Sequence, residues 1–410
     1  MTFILRDLPD DKRVIGANLL DGPFELPRLV VKQSALEHNI TAMTEYCRVN
    51  NVSLAPHAKT TMVPAIIRRQ VDCGAWAMTV ATMQQLHACM EMGVKRLLLA
   101  NEVVNARAAE WLGRELAARG SGHEAYCLVD SVQGVAELAR GLGASGLARK
   151  LPVLVEVGPA GGRAGCRTVK DALAVARSVA KEPALRLAGV EGFEGIIGAS
   201  RSAETLDAVD RFLEGMQQTA LTFETEGLFG LPGDESEVIL TAGGSTFFDR
   251  VATVLTRAPL AKPYRVVLRS GCYVTHDHGS YGGPAPLTGE LDKPGFLPAL
   301  ELWSEVLSKP EPGRAIAGFG RRDAPFDAGL PVLLGRVPAG EPGPRTQVDG
   351  TVAALNDQHA HIVGSPELDL TVGDRVVCGI RHPCTAFDKW RKLLMVDDDY
   401  TVVEVLSTWF

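Results

Sequence analysis

The chain has 410 residues, 46% of them hydrophobic and 22% charged, with a formal net charge of -7 at pH 7. This is the composition of an ordinary globular protein, and the length predicts two or more domains, or one large barrel with an appended domain. The sequence has no basic block, which argues against a nucleic-acid partner. No apolar run reaches the roughly 18 residues that a membrane-spanning helix needs, so we expect no membrane partner.

The N-terminus and the cysteines bear on the cell compartment. The first residues lack a basic region followed by a long apolar stretch, so we expect no signal peptide. The eight cysteines are scattered and include no Cys-x-x-Cys pair. This usage is typical of reduced thiols in a cytoplasmic protein rather than of a disulfide framework.

The first regular pattern follows an irregular segment that ends near residue 27. A short apolar run at 29–31 predicts a strand, and Ser34 predicts the N-cap of a helix that continues to about residue 48.

From residue 52, apolar runs alternate with amphipathic helical patterns. Several of the runs are continuously apolar, as expected for a parallel sheet buried on both faces. Eight strands separated by helices predict an α/β fold, a (β/α)8 TIM barrel over residues 33–275. A doubly wound open sheet is the alternative, but its usual glycine-rich dinucleotide fingerprint after the first strand is absent. The predicted strands are 52–57, 76–81, 96–101, 124–129, 151–157, 186–192, 238–243 and 264–269, and the predicted helices are 62–72, 82–92, 105–119, 132–142, 168–181, 203–226 and 246–257.

The pattern changes after about residue 275. Residues 275–350 are rich in glycine and proline, and short strand candidates follow at 330–335, 350–355, 374–380, 392–396 and 401–406. These runs predict a C-terminal all-β domain. We assign residues 276–410 to it, together with residues 1–32.

One lysine stands where a barrel places its chemistry. Lys59 follows the first predicted strand, and barrel enzymes carry their catalytic groups at the carboxyl ends of the strands. A lysine that faces a cavity there can lose its proton through desolvation, which suits Schiff-base chemistry. A solvated loop lysine is the alternative interpretation.

Three later loops add a cation and a candidate anion site. Arg163 follows the fifth strand, Gly243-Gly244-Ser245-Thr246 follows the seventh, and 269–273 follows the eighth. Loops after strands seven and eight are the usual phosphate site of such barrels, and a helix N-terminus favours an anion. Helix capping explains the Gly-Gly-Ser-Thr segment as well. A lysine opposite a phosphate site is the layout that a pyridoxal phosphate enzyme needs.

The sequence resembles the pyridoxal phosphate enzymes of the alanine racemase fold, and more closely their D-serine dehydratase/D-threonine aldolase branch. The resemblance covers most of residues 28–400 and rests on the segments 56–60, 79–82, 100–104, 243–245, 271–273 and 381–384. It implies a homodimer in which Lys59 forms the Schiff base with the cofactor, Arg163 lies near the phenolic oxygen and Arg269 meets the pyridine nitrogen. The phosphate contacts that it implies are Gly244, Ser245, Gly271 and Cys272, with Gly243 and Tyr273 in the same segments.

His382-Pro383-Cys384 is a candidate metal pair. A histidine and a cysteine two positions apart can reach one ion, and imidazole with thiolate suits zinc, with manganese or magnesium as alternatives. The alternative interpretation is a loop histidine beside a half-buried cysteine with no role in metal binding. Two protein ligands require water or substrate to complete the shell. The resemblance implies a divalent metal here, and we associate the cysteine form with the dehydratases.

Two further groups contain histidines. His359 and His361 alternate along a predicted strand, so at most one should point at a site, and the resemblance selects His359. His276-Asp277-His278 has metal-ligand spacing, and we favour a structural role for it.

The predicted function is that of a lyase that depends on pyridoxal phosphate and a divalent metal and acts on small D-3-hydroxy amino acids. In the favoured reaction Lys59 removes the α-proton, His57 assists proton transfer, and the metal promotes loss of the β-hydroxyl, which gives a 2-keto acid and ammonia. An aldolase that produces glycine and an aldehyde is the alternative. A racemase and a non-catalytic cofactor-binding protein are further alternatives.

Two departures from the family pattern bear on the substrate. Phe193 stands where a tyrosine is common, and Arg321-Arg322 replaces part of a more usual segment. The two arginines could meet a second carboxylate, as in 3-hydroxyaspartate, although solvated loop charges are the favoured interpretation.

Overall fold

The computed structural model describes residues 14–22, 24–198, 200–230, 236–279, 286, 295–340, 343 and 345–410. The chain divides into two compact units, and it passes between them several times. One unit, here called the barrel unit, contains Met43–Lys59 and Ile67–Gly271. The other, the β unit, contains the chain up to Ala42, Thr60–Ile66 and Cys272–Phe410.

The secondary structure follows in chain order. The strands are β1 Arg28–Lys32, β2 Ser53–Leu54, β3 Met78–Val80, β4 Arg96–Glu102, β5 Glu124–Val129, β6 Leu151–Val157, β7 Leu185–Gly192, β8 Val238–Ala242, β9 Tyr264–Leu268, β10 Leu300–Glu311, β11 Arg314–Ala317, β12 Val332–Val337, β13 Gly350–Leu355, β14 Ala360–Gly364, β15 Arg375–Gly379, β16 Lys392–Val396 and β17 Val402–Ser407. The helices are α1 Gln33–Val49, α2 Pro64–Asp72, α3 Met83–Glu91, α4 Ala106–Arg119, α5 Val132–Gly143, α6 Val169–Lys181, α7 Ala203–Thr225 and α8 Phe248–Leu255. Among the described residues, none of the helices is both long and apolar enough to cross a membrane.

The barrel unit is built on one parallel sheet of eight strands. The strand order is β2-β9-β8-β7-β6-β5-β4-β3, and every neighbouring pair is parallel. The two ends of this order meet, because the Trp76 N–H donates to Leu54 O at 2.7 Å and the Thr79 N–H donates to Pro56 O at 2.9 Å. All eight predicted barrel strands are present, which confirms the predicted fold class.

The barrel is filled by side chains from its own strands. β6 is buried at all seven positions, as its continuously apolar sequence predicts. Complete burial of each branched aliphatic side chain contributes roughly 1.5–3 kcal/mol, so the interior is a packed core rather than a pore. One buried cluster is formed by Ala55, Ala77, Leu98, Tyr126, Leu128, Leu154, Ala188, Ile239 and Val267.

Side-chain caps define where most of the outer helices begin. Each capping side chain accepts a hydrogen bond from a backbone N–H in the first turn of its helix, which stabilises a helix by about 1 kcal/mol. The capping residues are Thr82 for α3, Asn105 for α4, Ser131 for α5, Thr168 for α6 and Ser202 for α7.

The β unit contains a second sheet with the order β13-β14-β11-β10-β1-β16-β17, and β15 pairs with both β10 and β12. The early strand β1 lies in this sheet, antiparallel to β10 and parallel to β16. The sequence patterns did not predict β10 or β11. β10 is the longest strand, and the high glycine and proline content of the surrounding segment concealed it.

Candidate active site

Lys59 lies in a short 3₁₀ turn, Ala58–Thr60, just after β2. Its side chain is exposed, and with the residues that the structure describes it forms no hydrogen bond or ion pair. The turn thus presents a primary amine at the carboxyl end of a barrel strand, where the sequence predicts it. A lysine without a partner is available for covalent chemistry with an aldehyde.

His57 precedes this turn and pairs with Thr79 of β3 as an isolated parallel bridge. Its Nδ1 atom is buried and makes no hydrogen bond to the described residues. Burial, followed by the nearby cations Lys59, Arg269 and Arg163, holds the pKa of His57 well below its usual value. The ring is therefore neutral at neutral pH, and its predicted role in proton transfer stays a prediction.

A buried carboxylate–arginine group lies at the same end of the barrel. Arg269, just after β9, forms an ion pair with Glu191 of β7, and its Nη2 donates to Gly192 O at 2.8 Å. Both side chains of the pair are almost completely buried. Burial raises the pKa of Glu191, and the neighbouring Arg269 opposes that rise. This ion pair fixes the guanidinium at a position from which its Nε, a buried donor without a hydrogen bond to the described residues, remains available.

Glu156 of β6 stands beside Glu191 in the register of the sheet. Burial, together with the charges of Glu191 and Glu102, raises the pKa of Glu156 to about 9. Arg163, whose role near the phenolic oxygen remains a prediction, lies 3.9 Å from Glu156 between Nη2 and Oε1. The sequence-based prediction missed both glutamates. The sequence feature that could have identified them is one glutamate near the end of each of two neighbouring strands that are otherwise apolar.

The loop after β8 holds an anion that the chain itself provides. The Gly243 and Gly244 N–H groups donate to the two carboxyl oxygens of Glu194, at 3.1 and 2.6 Å. Ser270 Oγ donates to Gly244 O at 2.7 Å. A Cβ on Gly244 would lie 2.2 Å from Glu194 Oε1, and one on Gly243 would lie 2.8 Å from the Arg269 guanidinium. A side chain at either position would therefore require Glu194 or Arg269 to move.

The capping interpretation of the same loop is not what the structure shows. The N-cap of α8 is Phe247, which makes no side-chain capping bond. Ser245 is half-buried near the two glycines, and its predicted contact with a phosphate stays a prediction, as do those of Gly271 and Cys272. Glu194 was also missed, although it belongs to a Glu-Gly-Phe-Glu-Gly segment that the sequence offers at the end of β7.

The predicted metal pair lies in the β unit. His382 Nδ1 and Asp327 Oδ2 are 2.5 Å apart, and Thr385 Oγ1 donates to Asp327 Oδ1 at 2.9 Å. A carboxylate on one ring nitrogen fixes the tautomer and leaves the other nitrogen for a metal. Hydrogen bonding to the Cys384 thiol, and then to Asp327, raises the pKa of His382 to about 9.

Cys384 has a second sulfur as its neighbour. Its Sγ lies 3.0 Å from Cys272 Sγ and 3.3 Å from Thr60 Oγ1. Hydrogen bonds from Cys272 and His382 lower the pKa of Cys384 well below its usual value. The thiolate is the form that binds metals. Within the described ranges no group of three or more histidine, cysteine, aspartate or glutamate residues is arranged to hold an ion, so His382 and Cys384 remain a two-residue set.

The other candidates in the β unit lie in two places. His359 is exposed in an open cleft that Arg321, Arg322 and Asp357 also line, while His361 bonds to Asn356 at 2.7 Å. The two histidines therefore have different neighbours, and only His361 lies within β14.

The His276-Asp277-His278 group is a buried turn. His276 has a positive φ of 44°, and its N–H donates to Cys272 O at 2.8 Å. The His276 and Tyr273 rings each lie 5.8 Å from the Phe296 ring. These contacts describe packing, which agrees with the structural role that we favoured.

Two family models match the chain over its two main regions. Residues 31–227 match the N-terminal domain of alanine racemase, and residues 299–396 match a putative serine dehydratase domain. These two matches confirm the predicted resemblance to the D-serine dehydratase/D-threonine aldolase branch of the alanine racemase fold.

The curated relatives are lyases. The chain is 27% identical to a D-threonine aldolase of Arthrobacter sp over 344 residues, which is 83% of this chain and 81% of the relative. It is 24% identical to a 3-hydroxy-D-aspartate aldolase of Paracoccus denitrificans (strain Pd 1222) over 320 residues, 77% of each chain. The prediction that the chain is an enzyme of the lyase class is confirmed.

Solved structures show the same fold. The D-threonine aldolase from Filomicrobium marinum superposes with a TM-score of 0.78 at 24% identity, covering 96% of this chain and 97% of that one. The D-threo-3-hydroxyaspartate dehydratase from Delftia sp. HT23 superposes with a TM-score of 0.75 at 21% identity, covering 94% and 97%.

Proposed function

We propose that this chain is a pyridoxal phosphate-dependent lyase that acts on small D-3-hydroxy amino acids, with a divalent metal at His382 and Cys384. The favoured reaction is a dehydration that yields a 2-keto acid and ammonia. The observation that carries this proposal is the arrangement of His382, with Asp327 on one ring nitrogen and the Cys384 thiol as its other partner.

The barrel unit fits the cofactor on two observations. The Gly243 and Gly244 N–H groups already hold a carboxylate, so they form a cradle for an anion such as a phosphate. Lys59 offers an amine without a partner among the described residues. Lys59 would hold the aldehyde and Arg269 Nε would meet the pyridine nitrogen. Bound pyridoxal phosphate supplies an electron sink, which makes the α-proton of an amino acid removable.

The chain's own groups handle the proton. Lys59 Nζ accepts the α-proton, and His57, whose pKa is kept low first by burial and then by the charge of Lys59, would assist proton transfer as a neutral imidazole. Glu191 holds Arg269 in place through the buried ion pair. Glu156, with its pKa raised to about 9, carries a proton at neutral pH and therefore adds no second negative charge beside that pair.

The donor set of the β unit suits zinc, with manganese or magnesium as alternatives. His382 Nε2 and the Cys384 thiolate would bind the ion, and Asp327 would orient the imidazole. A metal held there supplies a Lewis acid for the β-hydroxyl group. Two solved mutants of the D-threo-3-hydroxyaspartate dehydratase replace a histidine and a cysteine two positions apart, and the cysteine mutant is in a metal-free form. The spacing is that of His382 and Cys384.

An aldolase is the second candidate, because both curated relatives described above are aldolases. In that reaction the bond between Cα and Cβ breaks, and the products are glycine and an aldehyde. The experiment is to incubate the purified protein with D-serine, D-threonine and D-3-hydroxyaspartate, with and without a chelator.

A 2-keto acid and ammonia, lost on chelation, are expected for the dehydratase. Glycine and an aldehyde without release of ammonia would establish the aldolase instead. Interconversion of D- and L-amino acids without either set of products would overturn the lyase proposal in favour of a racemase. Cofactor binding without any turnover would leave a non-catalytic binding protein.

A further inference from the structure

The cradle formed by Gly243 and Gly244 is filled by Glu194. This residue opens the 3₁₀ turn Glu194–Ile196 just after β7, and its side chain is completely buried. Each of its carboxyl oxygens accepts one backbone N–H, at 2.6 and 3.1 Å. Glu194 and the two glycines all lie in the barrel unit.

The two N–H groups cannot serve Glu194 and a phosphate at the same time. Both donate to the carboxylate along the directions that any anion in the loop would use. Little space separates the two groups, since even a single added Cβ on Gly244 would lie 2.2 Å from Glu194 Oε1. Without a ligand, Glu194 accepts hydrogen bonds from two buried N–H donors that would otherwise be unpaired, and an unpaired buried donor is unfavourable. A phosphate that binds to these two N–H groups must therefore displace the Glu194 carboxylate.

The charged groups around Glu194 come from several elements. Arg269 after β9 is the cation that acts on it, and Glu191 of β7 is paired with that arginine. Farther along the same end lie Glu156 of β6 with Arg163. The loop 241–246 between β8 and α8 carries no ionisable side chain. On α8, Asp249 is paired with Arg201 at 3.0 Å, and beyond Arg269 stand His57 and Lys59.

We propose that Glu194 is a built-in competitor of the cofactor's phosphate group, displaced from Gly243 and Gly244 when a phosphate binds there. The inference rests on the proposed function, because it takes this loop as the phosphate site. Glu194 then sets how tightly the chain holds phosphate esters, and thereby how readily the cofactor dissociates.

Proton uptake follows from the displacement. A buried carboxyl that loses two N–H donors ionises less readily than before, and burial already raises the pKa of Glu194. A neutral carboxyl is also a weaker acceptor than a carboxylate. Anion binding should therefore strengthen as the pH falls, with a proton taken up from solution.

The test uses sulfate, whose charge is constant between about pH 6.5 and 8.5, as a competitor of pyridoxal phosphate on the apoprotein. The binding of the cofactor is followed by its absorption at increasing sulfate concentrations. In the wild type, competition by sulfate should strengthen as the pH falls. Glu194→Gln should bind sulfate about tenfold more tightly at pH 8 and lose the pH dependence, since a tenfold change corresponds to one pKa unit.

The matched control is Glu214→Gln on α7. Glu214 is exposed and forms no hydrogen bond or ion pair with the described residues, so this variant should behave as the wild type does. Calorimetry of cofactor binding in buffers of different ionisation enthalpy should show a proton taken up by the wild type and by Glu214→Gln, but not by Glu194→Gln.

Several outcomes decide the matter. If the cofactor binds and sulfate competes equally in the wild type and Glu194→Gln, without a pH trend, the competitor role is wrong while the proposed function stands. If the cofactor gives no absorption change that depends on Lys59, the proposed function fails, and this inference fails with it. If Glu194→Gln does not fold, the wild-type pH series decides: stronger competition at lower pH supports the role, and a flat series overturns it.

Discussion

The two candidate sites of this chain are built in different ways. In the barrel unit, the polar groups come from separate strands and are buried, and acidic side chains of the chain itself occupy the donors of Arg269, Gly243 and Gly244. In the β unit, His382 and Cys384 are neighbours in sequence, and His382 and its carboxylate partner Asp327 are both partly exposed. The first site takes its charged groups from separate barrel strands, whereas the second has its two candidate ligands in one turn and takes their partners, Asp327 and Cys272, from other parts of the β unit.

The sharpest test of the barrel site is the loss of Lys59. Lys59→Ala should remove the absorption band of the covalently bound cofactor and lower turnover by at least roughly 10³-fold, because both the attachment and the proton acceptor are lost. Lys95→Ala is the control, since Lys95 is also an exposed lysine of the barrel unit. A band that persists in Lys59→Ala would remove the basis of the assignment.

In contrast to the loss of Lys59, the loss of a metal ligand should leave the cofactor bound and reduce only the activity. Cys384→Ala should retain the cofactor band but lose activity by about 100-fold, and a chelator should have no further effect on it. Metal content after dialysis and the rate of product formation measure both results. Cys73→Ala, at an exposed cysteine, should match the wild type. Full, chelator-sensitive activity in Cys384→Ala would place the metal elsewhere.

A smaller effect is expected one step away from the metal. Asp327→Asn removes the carboxylate that orients His382 and should weaken metal affinity about 10–100-fold. Titration of the apoprotein with zinc under competition from a chelator measures the change. Asp349→Asn, at an exposed aspartate of the same unit, is the control. Equal zinc affinity in the two variants would mean that Asp327 does not support the ligand.

The smallest effect concerns stability and pH. The pKa of Glu156 is raised to about 9, so the folded state binds its proton more tightly than the unfolded state. Its contribution to the free energy of unfolding is fully present below about pH 4.5 and is lost as the pH rises through about 9. Glu156→Gln should flatten this decline, by less than about 1.4 kcal/mol per pH unit. Urea unfolding at pH 6 and pH 9 measures the free energy of unfolding of both proteins. The same change between the two pH values in the wild type and in Glu156→Gln would contradict this prediction.

Sequence patterns predicted the barrel well because several strands are continuously apolar runs and most strands are followed by an amphipathic helix with a capping side chain. They also placed Lys59 and the glycine loop, since strand ends in a barrel share one edge. They could not predict Glu194 or Glu191, because a glutamate near a strand end reads as an ordinary exposed charge until the fold shows what surrounds it. β10 was missed for a different reason, since its long run is embedded in a glycine- and proline-rich segment.

The pairing of β1 has a consequence for synthesis. This strand is synthesised before the other strands of its sheet, since its partners Trp303 and Leu394 lie more than 250 residues later in the chain. Its residues Leu29, Val30 and Val31 are almost completely buried in the finished protein. Until the C-terminal strands have been made, these three side chains and an unpaired strand edge stay open to other chains. Nascent chains that stall before residue 394 are therefore the ones that need a chaperone.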